Sequence, residues 1–300
     1  MSQSSSPNFF ILGAPKCGTT ALASYLDEHP DIEISTPKEP HYFATDLNVA
    51  RVPAANLAEY ERMCFTDRAV AARGDASVWH LYSQDAVPRI LEAYPEARFI
   101  VMLRHPIEMA HALHSQHVFF AREDQHDFDT AWHLSEKRRN GENLPPHPEP
   151  RCVLYDQIAS FGEQISRLFS YVDKENVLII TNEDMNFNIH ATYQAVLNFL
   201  RVEDDHRRIF SRINESRRIR RDWMVRILRS RLVFHTAVGM KSILGLQTLG
   251  IGKPQPLLQR VDRDRMLYQI LEDIEFLELL IERKLDAWQP KSNKVSDLGN

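Results

Sequence analysis

Cysteine is scarce in this 300-residue chain: Cys17, Cys64 and Cys152 are its only thiols. Three scattered cysteines cannot build a disulfide framework or a cysteine-based zinc site, and they fit a reducing compartment. No uninterrupted apolar run approaches the ~18 residues that a membrane-spanning helix needs. The start, Met1-Ser2-Gln3-Ser4-Ser5-Ser6-Pro7, has neither the charged opening nor the apolar core of a signal peptide, so the expected location is cytoplasmic. Neither sign of charge dominates: 36 Lys and Arg face 41 Asp and Glu, a net charge of -5. That balance argues against a general nucleic-acid binder. Internal repeats and low-complexity tracts are also missing. The length suits one large α/β domain, expected over residues 1–300 with polar tails at 1–7 and 289–300.

What the chain does have is a glycine-framed loop, Gly13-Ala14-Pro15-Lys16-Cys17-Gly18-Thr19-Thr20, directly after the apolar run Phe9-Phe10-Ile11-Leu12. A short buried strand feeds a loop, and the loop opens a helix. Backbone N–H groups at a helix start, with the helix dipole behind them, form an anion site. The spacing of Gly13 and Gly18 is that of a P-loop, but Thr19 stands where the usual lysine follows the second glycine. The lysine has moved into the loop, as Lys16.

Further along, apolar runs alternate with helical spacing. Strands are expected at 8–13, 32–35, 97–103 and 176–181, with a short strand and turn between Gly74 and Tyr82. Helices are expected at 19–28, 56–63, 85–94, 108–121, 127–139, 154–171 and 188–200, with a proline-rich loop over 141–150. This alternation predicts an α/β fold, a central parallel sheet flanked by helices. The carboxyl third differs. An Arg-rich helical region covers 207–255, with ten arginines between Arg207 and Arg231. An amphipathic closing helix is expected over 262–288, with Leu267, Ile270, Leu271, Ile274, Leu277 and Leu280 on one side.

The strand 97–103 ends in Arg104-His105-Pro106. In a nucleotide triphosphatase such a strand end carries an Asp that holds Mg²⁺. Here a cation replaces that anion. Lys16 and Arg104 together therefore point to a multiply charged phosphate neutralised by protein cations without a metal, and arginine's planar fork suits phosphate oxygens.

These residues resemble the PAPS-dependent sulfotransferases, most closely the bacterial members. Pro15-Lys16-Cys17-Gly18-Thr19-Thr20 is similar to the family's 5′-phosphosulfate loop, and Phe99 to Pro106 is similar to its 3′-phosphate element. The likeness continues through Lys38-Glu39-Pro40-His41-Tyr42-Phe43, Gly74-Asp75-Ala76-Ser77, Leu154-Tyr155, Asn182-Glu183-Asp184 and Tyr268 to Trp288. It implies a P-loop-like sulfotransferase architecture, with PAPS as sulfonate donor and adenosine 3′,5′-bisphosphate (PAP) as product. It also implies donor contacts from Pro15, Lys16, Cys17, Gly18, Thr19, Thr20, Arg104 and Tyr155. One departure stands out: Ala112 occupies the position, eight residues after Arg104, where the family carries a phosphate-binding serine. Ser115, one helical turn on, is the candidate substitute.

Two residues compete as the base that activates an acceptor hydroxyl. Glu39 matches the catalytic glutamate position of the carbohydrate sulfotransferases. His80 falls near the catalytic histidine position of the small-molecule members. The expected base is Glu39, assisted by His41 or His80, and it is effective only if burial raises its pKa. His111, His114 and His117 recur every third residue but have no acidic companion, so no metal site is expected. Arg217 and Arg218, in Asn214-Glu215-Ser216-Arg217-Arg218, are candidate anion contacts. The acceptor is expected to be a hydroxyl of a carbohydrate, a lipid or a small metabolite. Membrane contact through 232–249 is a less favoured option. Two alternatives stay open: a small-molecule P-loop kinase, and a non-catalytic PAPS- or PAP-binding protein.

Overall fold

The computed structural model describes residues 6–211 and 260–290. Its core is a five-stranded, all-parallel sheet: β1 (Phe9–Gly13), β2 (Ile32–Ile34), β3 (Ala72–Ala76), β4 (Arg98–Leu103) and β5 (Val177–Thr181), in the order β2-β3-β1-β4-β5. β1 lies in the middle, and every one of its residues is buried. A strand covered on both faces has no polar side to present, which is why Phe9-Phe10-Ile11-Leu12 reads as a continuous apolar run. β4 repeats the pattern with Phe99 to Leu103 inaccessible. The Phe10 ring packs against the rings of Phe43, Tyr94 and Phe99.

The strand order sets the functional edge. From β1 the chain crosses to β2 and returns to β3 on one side; it then passes to β4 and β5 on the other. The reversal between β1 and β4 is a topological switch point, where α/β sheets bind ligands outside the carboxyl ends of their strands. α1 (Thr19–Asp27) starts there after β1, and α4 (Pro106–Phe119) starts there after β4. Pro106 sits in the first turn of α4, where a missing N–H costs nothing, and the His105 side chain accepts from the Glu108 N–H.

Among the described residues the remaining α-helices are α2 (Leu57–Cys64), α3 (Ala86–Ala93), α5 (Phe128–His133), α6 (Ser135–Arg139), α7 (Tyr155–Ala159), α8 (Phe161–Phe169), α9 (Asn182–Phe187), α10 (Ile189–Leu200), α11 (Arg260–Gln269) and α12 (Leu271–Ile281). Three expected helices are corrected. The 127–139 helix is two pieces meeting at Leu134. The 154–171 helix breaks at Ser160, because α8 starts afresh on the Asp273 carboxylate, which accepts from the N–H groups of Gly162 and Glu163 at 2.8 and 2.9 Å. The closing helix over 262–288 breaks at Ile270 and ends at Ile281. Its predicted apolar side holds in part: Leu267, Ile270, Ile274 and Leu277 are buried, whereas Leu271 and Leu280 are only partly covered. α12 packs on α8, and the following Trp288 donates its indole N–H to Glu183 at 2.9 Å. α9, missed by periodicity, is fixed by a capping box between Thr181 and Asp184. The Arg-rich region beyond Ser211, with Arg217 and Arg218, lies outside the described residues.

Candidate functional site

Four loops meet at the carboxyl edge of the sheet. The first is the glycine-framed loop after β1. The Ala14 N–H donates to the Met102 carbonyl at 2.6 Å, tying the loop to β4. On the other side, a Cβ at Gly13 would collide with the Val78 carbonyl, and Gly13 adopts φ 134, a region open to glycine. The loop is thus clamped between the ends of β3 and β4. Gly18 (φ 93) caps α1, and a Cβ there would lie 3.5 Å from Asn182 Nδ2 and from Met102 Cε. Thr19 and Thr20 form the first turn of α1, where backbone N–H groups have no intrahelical acceptor. Lys16 takes φ 61 and donates from Nζ to Gln116 Oε1 on α4 at 3.0 Å. Cys17 is inaccessible. Burial pushes its thiol far up despite Arg104 and Lys16 nearby, so it is a packing group and not a nucleophile.

The second loop carries Arg104 at the end of β4. Its Nη2 donates to Glu108 Oε2 at 3.1 Å, and Arg263 of α11 approaches the other oxygen of Glu108 at 3.7 Å. Lys16 and Arg104 therefore stand in the loops that follow two adjacent central strands, on either side of the switch point. Ser115 does not offer its hydroxyl to this edge: Oγ donates to the His111 carbonyl one turn back at 2.9 Å. Tyr155 is also withdrawn. It is fully buried, and its hydroxyl donates to Glu123 at 3.0 Å within the buried Glu123–Arg138 ion pair. His114 and His117 belong to this same interior, His114 bonded to the Gln125 carbonyl and His117 near the Tyr155 hydroxyl. Among the described residues no cluster of three or more His, Cys, Asp or Glu side chains has metal-binding geometry.

The third and fourth loops, 35–51 and 77–85, bring the candidate bases together beyond β3. The Ser77 hydroxyl accepts from the His41 N–H at 3.0 Å, and the His80 N–H donates to the Ser77 carbonyl at 3.2 Å. The rings of His41 and His80 lie 6.0 Å apart. Glu39 (φ 62) and His41 (φ 53) both occupy the left-handed region, a conformation that costs roughly 1–3 kcal/mol per residue and clusters at functional sites. Glu39 pairs with Lys38 at 2.8 Å and Arg51 at 2.8 Å, and lies 3.8 Å from His41 Nε2.

These neighbours decide the tuning of Glu39, and the raised pKa set as the condition for a strong base is not met. Burial pushes its carboxyl up, but His41, Lys38 and Arg51 outweigh burial and hold it well below the ordinary range. Glu39 is an ionised carboxylate at neutral pH. His80 is inaccessible, neither ring nitrogen has a hydrogen-bond partner among the described residues, and burial holds it neutral. It is a packed ring against Phe43 and His41. Below these residues Asp75 is inaccessible and accepts from the Tyr60 hydroxyl at 2.7 Å; burial raises its carboxyl to about 6.

Gln116 and Arg51 were not among the expected site residues. Gln116 lies one helical turn past Ala112, on the face that meets the glycine-framed loop, so helical spacing carries a signal for it. Nothing local marks Arg51, which reaches Glu39 only because its loop folds back, its N–H donating to the Pro40 carbonyl at 2.9 Å.

Residues 6–217 match the family described as the sulfotransferase domain. The human protein carbohydrate sulfotransferase 15 is 25% identical over 248 residues, covering 65% of this chain and 44% of that protein. The membrane-associated sulfotransferase kil1 of Dictyostelium discoideum is 30% identical over 103 residues, 34% of this chain and 21% of that one. The chain thus spans less than half the length of the curated relatives it matches. The crystal structure of a sulfotransferase from Alicyclobacillus acidocaldarius superposes with a TM-score of 0.69 at 25% identity, covering 94% of this chain and 98% of that one.

Proposed function

Because the chain belongs to the sulfotransferase domain family, we propose that it transfers the sulfonate group of PAPS to a hydroxyl of a saccharide acceptor, releasing PAP. The observation that carries this reading is the placement of Lys16 and Arg104 directly after the paired strands β1 and β4, Arg104 standing where a metal-dependent P-loop enzyme would place a carboxylate. Two cations and the α1 start fit a ligand with two separate phosphate-type groups. The saccharide acceptor is supported by the names of the curated relatives and by Glu39.

When bound, PAPS supplies an activated sulfonate on a phosphate leaving group. The chain supplies position and charge. The first-turn N–H groups of Thr19 and Thr20 hold the 5′ end, and Arg104 holds the 3′-phosphate with its guanidinium. Lys16 stabilises the negative charge that develops on the bridging oxygen, the place where a fixed cation is worth most. Glu39, already ionised, accepts the acceptor's hydroxyl proton. Lys38 and Arg51 keep it charged and oriented but lower its basicity, so its contribution is alignment more than proton affinity.

Calorimetric titration of PAP without magnesium tests the donor site. Tight binding to the wild type, weakened ~10-fold or more in folded Lys16→Ala and Arg104→Ala variants, is expected from the loss of one charge-assisted contact in each. No wild-type binding of PAP, with binding of magnesium-ATP instead, would overturn the reading in favour of a kinase.

A further inference from the structure

The two loops that carry Glu39 and His80 do a second thing. At their far ends they form one wall of a cleft of about 190 Å³, lined there by Asp46, Leu47, Tyr82 and Gln84. The opposite wall comes from Arg151, Gln157 and the first two turns of α8. The donor-site residues take no part in it.

Its chemistry is set by Arg167. Nη2 donates to the Leu81 carbonyl at 2.6 Å and to the Tyr82 carbonyl at 3.2 Å, which fixes the guanidinium. Among the described residues Nε and Nη1 have no acceptor, and no carboxylate forms an ion pair with Arg167. Burial lowers its pKa, and the charges of Asp46 and Glu163 offset that only in part. Neither acid bonds to the guanidinium directly. Asp46 is taken by the Ser83 hydroxyl, by the Gln84 N–H at 3.1 Å and by Arg151 at 3.5 Å. Glu163 is exposed at the mouth, where solvent screens it. The Tyr82 hydroxyl is locked between Gln157 Oε1 at 3.2 Å and the Arg151 carbonyl at 3.3 Å, leaving the Gln157 amide nitrogen as a further donor. The Tyr82 ring is fixed in the wall beside Trp79. A held aromatic face with convergent donors and one under-neutralised guanidinium suits a polyhydroxylated ring bearing an anionic group.

We propose that this cleft is an acceptor subsite for an acidic saccharide, with Arg167 reading a carboxylate or sulfate ester on a sugar unit beside the one held at Glu39. The inference rests on the transfer reading above and names the substrate class for it. The acceptor chain lies along the 35–51 and 77–85 loops, its reacting hydroxyl at Glu39 and its neighbouring acidic unit in the cleft.

The test uses the full chain with PAP bound and three tetrasaccharides of one backbone: one carrying uronate, one carrying sulfate ester, and one carrying neither. Calorimetry should show at least one acidic probe binding ~10-fold or more tighter than the neutral one, as a charge-assisted hydrogen bond requires. The tighter probe identifies the group that is read. Arg167→Gln should bring the acidic probe to within about twofold of the neutral one while leaving PAP affinity unchanged. Arg167→Lys, which keeps a donor for the two carbonyls, guards against a folding defect and should also lose most of the discrimination. Equal binding of the three probes, no binding of any, or discrimination that survives both substitutions overturns the subsite. PAP bound normally in those cases leaves the transfer reading standing, whereas failure of the wild type to bind PAP removes both.

Discussion

Arg104 is not idle in the absence of a ligand: its guanidinium is paired with Glu108 at 3.1 Å, and a phosphate group must compete with that carboxylate. Glu108→Gln should therefore tighten PAP binding. The side chains are 32% and 44% exposed, so water screens the pair and its worth is at most about 0.3–1 kcal/mol. Releasing Arg104 from it predicts a dissociation constant about two- to fivefold lower at low salt. Near 1 M salt, where the Debye length is about 3 Å, the gain should shrink toward nothing. Arg263, 3.7 Å from the same carboxylate, keeps Asp264 beside it at 3.8 Å. Titration of PAP into wild type, Glu108→Gln, Arg104→Ala and the double variant closes a thermodynamic cycle. The gain must vanish in the Arg104→Ala background. Weaker binding by Glu108→Gln, or a gain that persists without Arg104, would refute the reasoning. Because Glu108 also favours the start of α4, the single variant should melt slightly lower, by the equivalent of about 0.3–1 kcal/mol.

Glu39→Gln should reduce turnover by ~10²–10⁴ with PAP affinity intact, and the wild-type profile should stay flat through about pH 5–7, because the carboxyl ionises well below its ordinary 4.5. An acid limb centred near the usual histidine value of about 6.5 would assign the base elsewhere. Asp75 works in the other direction. Its folded-state pKa of about 6 exceeds the ordinary 3.8, so the native state holds a proton that the unfolded chain releases, and stability falls as pH rises between those values. Relative to Asp75→Asn, the wild type should lose about 3 kcal/mol across that window in urea unfolding, and parallel pH profiles would contradict the burial argument.

The parts of the site that lie within one stretch of chain were legible beforehand. The β1 run, the glycine spacing and the cation at the end of β4 each state their chemistry within about eight residues, since buried parallel strands and phosphate loops are local patterns. Contacts between distant segments were not. Lys16 meets Gln116 across one hundred positions, and Asp273 caps α8 from more than a hundred residues away. Periodicity cannot see such a cap, so the Ser160 break was smoothed into one helix. The tuning of Glu39 was hidden for the same reason: neither its burial nor Arg51, which arrives only through a loop reversal, is written in the local sequence. Tyr155 and Ser115 look polar and available in sequence, yet tertiary packing gives the Tyr155 hydroxyl to Glu123, and the Ser115 hydroxyl turns back onto the His111 carbonyl of its own helix.

The placement of β1 has a consequence for synthesis on the ribosome. Its partners are β3 and β4, which end at residues 76 and 103, so the strand leaves the exit tunnel long before anything exists to pair with it. At ribosomal speeds of about 5–20 residues per second, the run Phe9-Phe10-Ile11-Leu12 waits on the order of 5–20 s with its apolar faces bare. Nascent chains halted before β4 should be sticky and incapable of holding a donor, and the glycine-framed loop that comes first in the chain is among the last features to take shape.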